Sequence, residues 1–307
     1  VQKFGSVTIA RVRGSAGLKR LLKDPWLKKE TIIIKPNWVG IDSAYGFTES
    51  EGLRMLLEAL DGRIVVTESY SLGRGPPDDG MNFTVGGEKV SWKWLFSGRG
   101  WRWLEKQPNW DWFKEEGHWD CIRKRDKWFL EEYGFTDLFN DHGVRYVNVT
   151  EEIWQGRVAD PQEVKKVVED GLSPVFNERL YSLVPQKLYE LRGATFISFA
   201  KLKNPNKNII SFTVKNFFGL LPDPLRAWWH QWFDSGLIGI IKIYKSLFDV
   251  YGICEGLCYA PLYDAKRKRV RVAKDLGVLA FGRHLTLLDA VLCGLVGRFS
   301  PGEFSWY

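Results

Sequence analysis

The stretch from Thr31 to Thr67 constrains the fold more than any other part of the chain. Thr31–Lys35 (TIIIK) is a β-branched run that stops at Pro36, the pattern of a buried strand whose C-terminal end opens into a loop. Thr48 and Glu51 stand at capping-box spacing, and Leu53, Leu56, Leu57 and Leu60 then recur at helical intervals until Gly62. Ile64 to Thr67 reads as the next strand. A strand, a helix and a strand in so short a span form a crossover unit, which requires parallel pairing and a sheet covered by helices. The alternation continues with a helix begun by Thr136, a strand at Val144 to Val149 and a helix from Pro161 to Glu169 capped by Asp160. A strand at Ala194 to Phe199 follows, then two aromatic-rich helices broken near Gly236. Strands around Leu257–Leu262 and Gly277–Phe281 and a helix from Leu285 to Leu295 close the series. The expected fold is α/β, a mixed and mainly parallel sheet flanked by helices, with a Trp-rich insertion.

That insertion interrupts the alternation. Eight of the fifteen tryptophans fall between Trp92 and Trp128, so the core domain is expected over 1–89 and 134–307, with 90–133 an inserted lid or subdomain. An indole has an apolar body and a polar N–H. Such a cluster suits a satellite core, a site lid, a membrane surface, base stacking or a grip on an apolar substrate. Arg123, Lys124, Arg125 and Lys127 form a basic run, blunted by Glu115, Glu116, Asp120 and Asp126. The whole chain carries +7 with a pI near 9.1, a moderate bias toward anionic partners. Four cysteines are too few and too scattered for a disulfide framework, which points to free thiols and a reducing, cytoplasmic setting. Nothing near Val1 reads as a targeting segment, and the run Leu237 to Ile241 stops at Lys242, short of the roughly 18 apolar residues a membrane span needs.

In open parallel sheets, ligands bind outside the carboxyl ends of the strands. Two such ends are chemically loaded: IIIKPNWVG places Lys35 and Asn37 just past one strand, and SFAKLKN places Lys201, Lys203 and Asn204 just past another. Extended spacing puts Lys201 and Lys203 on one side, where two ammonium groups are tolerated only in solvent or facing an anion. Ser211 to Gly219 (SFTVKNFFG) reads as a short helix with a Ser cap that carries Lys215 and Asn216 among phenylalanines. Lys215 there either snorkels past the rings or is a desolvated amine able to act as base or nucleophile. Glu68, at a strand end beside Lys35, is the better carboxylate for a general base or metal ligand, whereas Glu49 favours its helix N-terminus. Asp289, set among apolar residues, is expected to pair with a cation or cap backbone donors. His230 is the histidine singled out, because an imidazole titrates near neutrality.

The order IIIKPNWVG, FTESEG, IVVTES, SFAKLKNPNKN, TVKNFFGLLPD, Trp229-His230 and GRHLTLLDAVLCGLVG resembles the domain of unknown function 362 family, with KPN and KNFFG its most specific elements. The resemblance covers most of the chain outside the Trp-rich segment. It implies an α/β domain, in some members joined to a ferredoxin-type cluster segment, and a histidine after the KNFFG loop. Cys121, Cys254, Cys258 and Cys293 lack the tight spacing of cluster ligands, so no iron–sulfur cluster is expected. P-loop, dinucleotide-fingerprint, GxSxG and HExxH motifs are absent. A divalent cation bridging carboxylates to a phosphate stays open. The expected activity is an enzyme acting on an anionic small molecule with an apolar or aromatic part. Lys35, Asn37, Lys201, Lys203, Asn204 and Asn216 would bind it, and Glu68, Lys215 or His230 would move a proton. The rivals are a single-stranded nucleic-acid module and a peripheral membrane protein using the tryptophans.

Overall fold

The computed structural model describes residues 1–41, 46–77, 80–206, 209–264 and 267–296. Strands Thr31–Lys35 and Arg63–Glu68 pair in parallel, joined through helix Ser50–Ala59. They lie inside an eight-stranded sheet whose parallel part runs, in spatial order, Arg145–Asn148, Arg63–Glu68, Thr31–Lys35, Thr195–Lys201 and Asp249–Gly256. Val278–Gly282, Val7–Arg11 and Gln2–Phe4 extend it antiparallel on one side. The central strands are apolar almost throughout because both faces are covered. One face sets Ile33, Val65 and Phe196 against Val164, Val168, Leu237, Ile240 and Tyr244 of helices Pro161–Glu169 and Phe233–Leu247. The other sets Ile32, Ile34, Val66 and Ile197 against Leu53, Leu56 and Leu57 of Ser50–Ala59 and Phe135 and Leu138 of Phe135–Asp141. The fold is α/β with a mixed, mainly parallel sheet.

Several local expectations are corrected by tertiary partners. Thr48 does not cap the helix: its hydroxyl accepts the Asn37 N–H at 3.1 Å, and the helix starts at Ser50 with no side-chain cap. Ser211 is not a cap either. It ends strand Ile209–Ser211, and the N–H groups of Thr213 and Val214 that open the short helix Thr213–Asn216 are taken by the Asp289 carboxylate, at 3.0 Å each. Asp289 therefore does cap backbone donors, from a helix distant in sequence. The aromatic helices break at Gln231–Trp232, and Gly236 lies inside Phe233–Leu247, where the Trp229 ring packs on it. Asp249–Gly256 is a full sheet strand that the hydrophobic pattern hides behind two glycines and two acids. Gly252 is needed there, since a Cβ would lie 2.8 Å from Leu285 and Leu288.

The Trp-rich region builds its own cluster. Hairpin Asn82–Val85 and Glu88–Ser91 and the short helices Gly98–Leu104 and Asp111–Glu115 enclose Phe83, Leu95, Leu104, Trp110 and Phe113. Tyr70 and Leu72, from the loop past strand Arg63–Glu68, and Ala227, from the short helix Ala227–His230, join the same cluster. Helix Trp119–Glu132 links the two cores, giving Ile122 to this cluster and Phe129 to the sheet. None of the eight tryptophans from Trp92 to Trp128 is exposed. Their rings meet edge to face at Trp103–Trp112 (4.9 Å, 81°) and tilted at Trp94–Trp103 and Trp110–Trp112. Two residues of the basic run are engaged within the fold, Arg123 with Glu151 and Arg125 with Leu72 O over the Trp92 ring, whereas Lys124 and Lys127 are exposed, Lys127 facing Glu131 on the surface. Among the described residues no helix is long and apolar enough to cross a membrane.

Candidate functional site

The carboxyl ends of the parallel strands carry a row of buried polar side chains. Register sets Glu255 beside Lys201, Lys35 beside Ser198, and Glu68 beside Asn148. Groups taken so far from water need partners. Lys35, 1% exposed, donates from Nζ to Glu68 Oε2 (2.8 Å), Pro36 O (3.0 Å) and Asn216 Oδ1 (3.3 Å), three acceptors for the three hydrogens of an ammonium. Burial lowers its pKa to about 8, with Glu68 opposing the shift. Glu68 also accepts the Ser69 N–H (3.0 Å) and the Trp38 N–H (3.3 Å). Asn216 Nδ2 donates to Lys35 O (3.0 Å) and Ser198 Oγ (3.1 Å), which stitches the Thr213–Asn216 turn onto both strands. Gly219 lets the following turn close over the ion pair: a Cβ there would lie 2.6 Å from Lys35 Nζ and 2.8 Å from Glu68 Oε1.

Lys35, Asn37, Glu68, Lys203, Lys215, Asn216 and His230 all line one cavity of about 310 Å³. Arg226, which carries no sequence motif, joins them and brings a fourth cation against a single carboxylate among the described residues. Lys203 is buried and donates to Asn37 Oδ1 (2.5 Å) and Gly46 O (3.0 Å). Burial, then the charges of Lys215, Lys35 and Lys201, push its pKa down to about 7. Lys215 meets no hydrogen-bond acceptor among the described residues and lies 5.6 Å from the Phe233 ring centroid; burial lowers it to about 8. Arg226 donates through Nε to Leu221 O (3.2 Å) and through Nη2 to Gly219 O (3.1 Å), leaving Nη1 without a partner among the described residues. The walls toward the mouth are apolar, with Trp101 and Phe218 and the half-exposed Val39 and Phe96.

His230 keeps an outward edge in solvent while its ring packs against Trp101, Phe218 and Phe233. Its lost hydration, and then Lys215 and Arg226, hold its pKa down to about 4, so the near-neutral titration expected of it is displaced and the ring is neutral at pH 7. Lys201 is not brought into the cavity. It pairs instead with Glu49 (2.7 Å) and Glu255 (3.0 Å), so the anion it faces is internal. Asn204 is buried outside the cavity lining, with neither side-chain polar atom hydrogen-bonded among the described residues. Among the described residues no group of three His, Cys, Asp or Glu could hold a metal ion. Comparison with protein-family models, with curated proteins and with solved structures finds no match.

Proposed function

We propose that the cavity binds the phosphate or carboxylate of a small molecule and that the protein is an enzyme acting on that molecule. One observation carries this reading: among the described residues, Lys35, Lys203, Lys215 and Arg226 share one small cavity with Glu68 as the only carboxylate of the lining, and Lys35 is the one of the four that pairs with it. Crowded cations with depressed pKa values are a standing repulsion that a bound anion relieves. The substrate's apolar or aromatic part would lie against Phe218, Trp101, Phe96 and Val39. Glu68 already accepts three hydrogen bonds, so its part is to hold Lys35, and Lys215 is the better group to move a proton. The resemblance to the domain of unknown function 362 family belongs to the same proposal, because its KPN and KNFFG elements contain Lys35, Asn37, Lys215 and Asn216. The packed tryptophans, and the engagement of Arg123 with Glu151 and of Arg125 with Leu72 O, support a small molecule over a nucleic-acid strand.

Thermal unfolding against a panel of anions tests the reading. At a ligand concentration about 100 times Kd, benzoate or inorganic phosphate should raise the melting temperature by about 5 °C. Lys215→Met should remove most of that rise, whereas Arg271→Ala, a change on an exposed strand, should not. An unchanged rise in Lys215→Met would place the anion elsewhere.

A further inference from the structure

The two buried lysines of the cavity differ in a way that charge alone does not describe. Lys35 has three acceptors around Nζ, one of them a carboxylate, which suits an ammonium. Lys203 has two, Asn37 Oδ1 and Gly46 O, both neutral, and no carboxylate within ion-pair distance among the described residues. Two neutral acceptors match the two hydrogens of a neutral amine and leave its lone pair unused. Lys203 also lines the cavity, so that lone pair is within reach of a bound molecule. An amine kept neutral by burial and by neighbouring cations is the activated form of lysine as a nucleophile.

We propose that Lys203 is a covalent catalytic residue that forms an imine with the carbonyl carbon of an anionic oxo acid. This rests on the anion reading of the cavity and narrows its substrate class to carboxylates bearing a ketone or aldehyde. Arg226 Nη1 and the Lys215 ammonium take the carboxylate, and the carbonyl lies at Lys203 Nζ. The amine lone pair attacks the carbonyl carbon, forming the C–N bond as the C–O π bond breaks. One amine hydrogen and one proton supplied by Lys215 leave with the oxygen as water, and the protonated imine remains. Asn37 Oδ1 and Gly46 O hold the attacking amine through its two hydrogens, and one of them keeps the single N–H of the protonated imine. The positive imine carbon–nitrogen bond can then accept an electron pair from an adjacent C–H or C–C bond.

Trapping on the intact chain decides the matter. Phenylpyruvate with sodium cyanoborohydride should give a single reduced adduct, mapped by peptide mass spectrometry to Lys203, and Lys203→Arg should lose it. Thermal unfolding with phenylpyruvate, without reductant, is measured beside it. A thermal shift with no adduct on Lys203, or an adduct confined to Lys35, Lys215 or surface lysines, overturns the imine while the anion site survives. Neither shift nor adduct overturns both.

Discussion

Lys203→Met is expected to raise the melting temperature by about 5 °C at pH 6, by much less at pH 10, and to weaken anion binding at least about tenfold. Burial and three neighbouring lysines lower the folded-state pKa of Lys203 to about 7 from 10.5. Below about pH 7 the folded protein must therefore carry a buried ammonium that the unfolded chain carries in water. The unfolded state binds more protons throughout the interval from about 7 to 10.5, so stability rises with pH across it. Methionine fills the same space without the charge and removes the penalty where it is largest. A group that destabilises its own fold is expected where function requires it. Melting curves at the two pH values, with a benzoate titration, check both halves; a stability loss at pH 6 would mean that Lys203 is a structural donor to Asn37 and Gly46 and no more.

Asp126→Ala should cost about 4 kcal/mol, roughly 10 °C in melting temperature, and should weaken the cavity as well. Arg74 is fully buried, its guanidinium paired with Asp126 and hydrogen-bonded to Ser69 O and Trp38 O. Its Cζ lies 5.2 Å from the Phe129 ring centroid. Tyr146 and Asn148 donate to the other oxygen of Asp126. Removing the carboxylate strands a guanidinium that cannot lose its proton, which is the costly way to break a buried pair. Ser69 and Trp38 flank Glu68 and Lys35, so the disturbance reaches the site through the two carbonyls that Arg74 holds. The double variant Arg74→Met/Asp126→Leu should recover much of the loss, because it removes both charges. Chemical unfolding of the three variants measures this, and a loss below about 1 kcal/mol in Asp126→Ala would show the pair to be solvated.

What the sequence displayed, and what it hid, follows from how local each signal is. The crossover from Thr31 to Glu68 is legible because a β-branched run, a helical leucine stripe and a second run sit side by side. Lys35, Asn37, Lys203, Lys215 and Asn216 are legible because the ends of parallel strands are where such loops converge, and the structure gathers them around one cavity. Lys201 misleads, because its partners Glu49 and Glu255 are remote in sequence and Glu255 lies in a strand whose glycines mask it. Thr48 and Ser211 carry cap chemistry that distant groups, the Asn37 N–H and the Asp289 carboxylate, make unnecessary. Arg226 gives no local signal, standing in a stretch that reads as an aromatic helix start. Asp126 reads as a surface acid blunting a basic run until its buried partner Arg74 is known.

The most direct test of the central claim is the proton count on anion binding. Calorimetric titration of benzoate at pH 8, in buffers of different ionisation enthalpy, reports the protons taken up per ligand bound. Lys35, Lys203 and Lys215, with pKa values of about 8, 7 and 8, are partly or mainly neutral at that pH, and a bound anion favours their charged forms. The expected result is uptake of about one proton per benzoate, falling toward zero at pH 6 where the lysines are already charged. Binding with no proton uptake at pH 8, or no binding at all, would contradict a cavity built from lysines that await an anion.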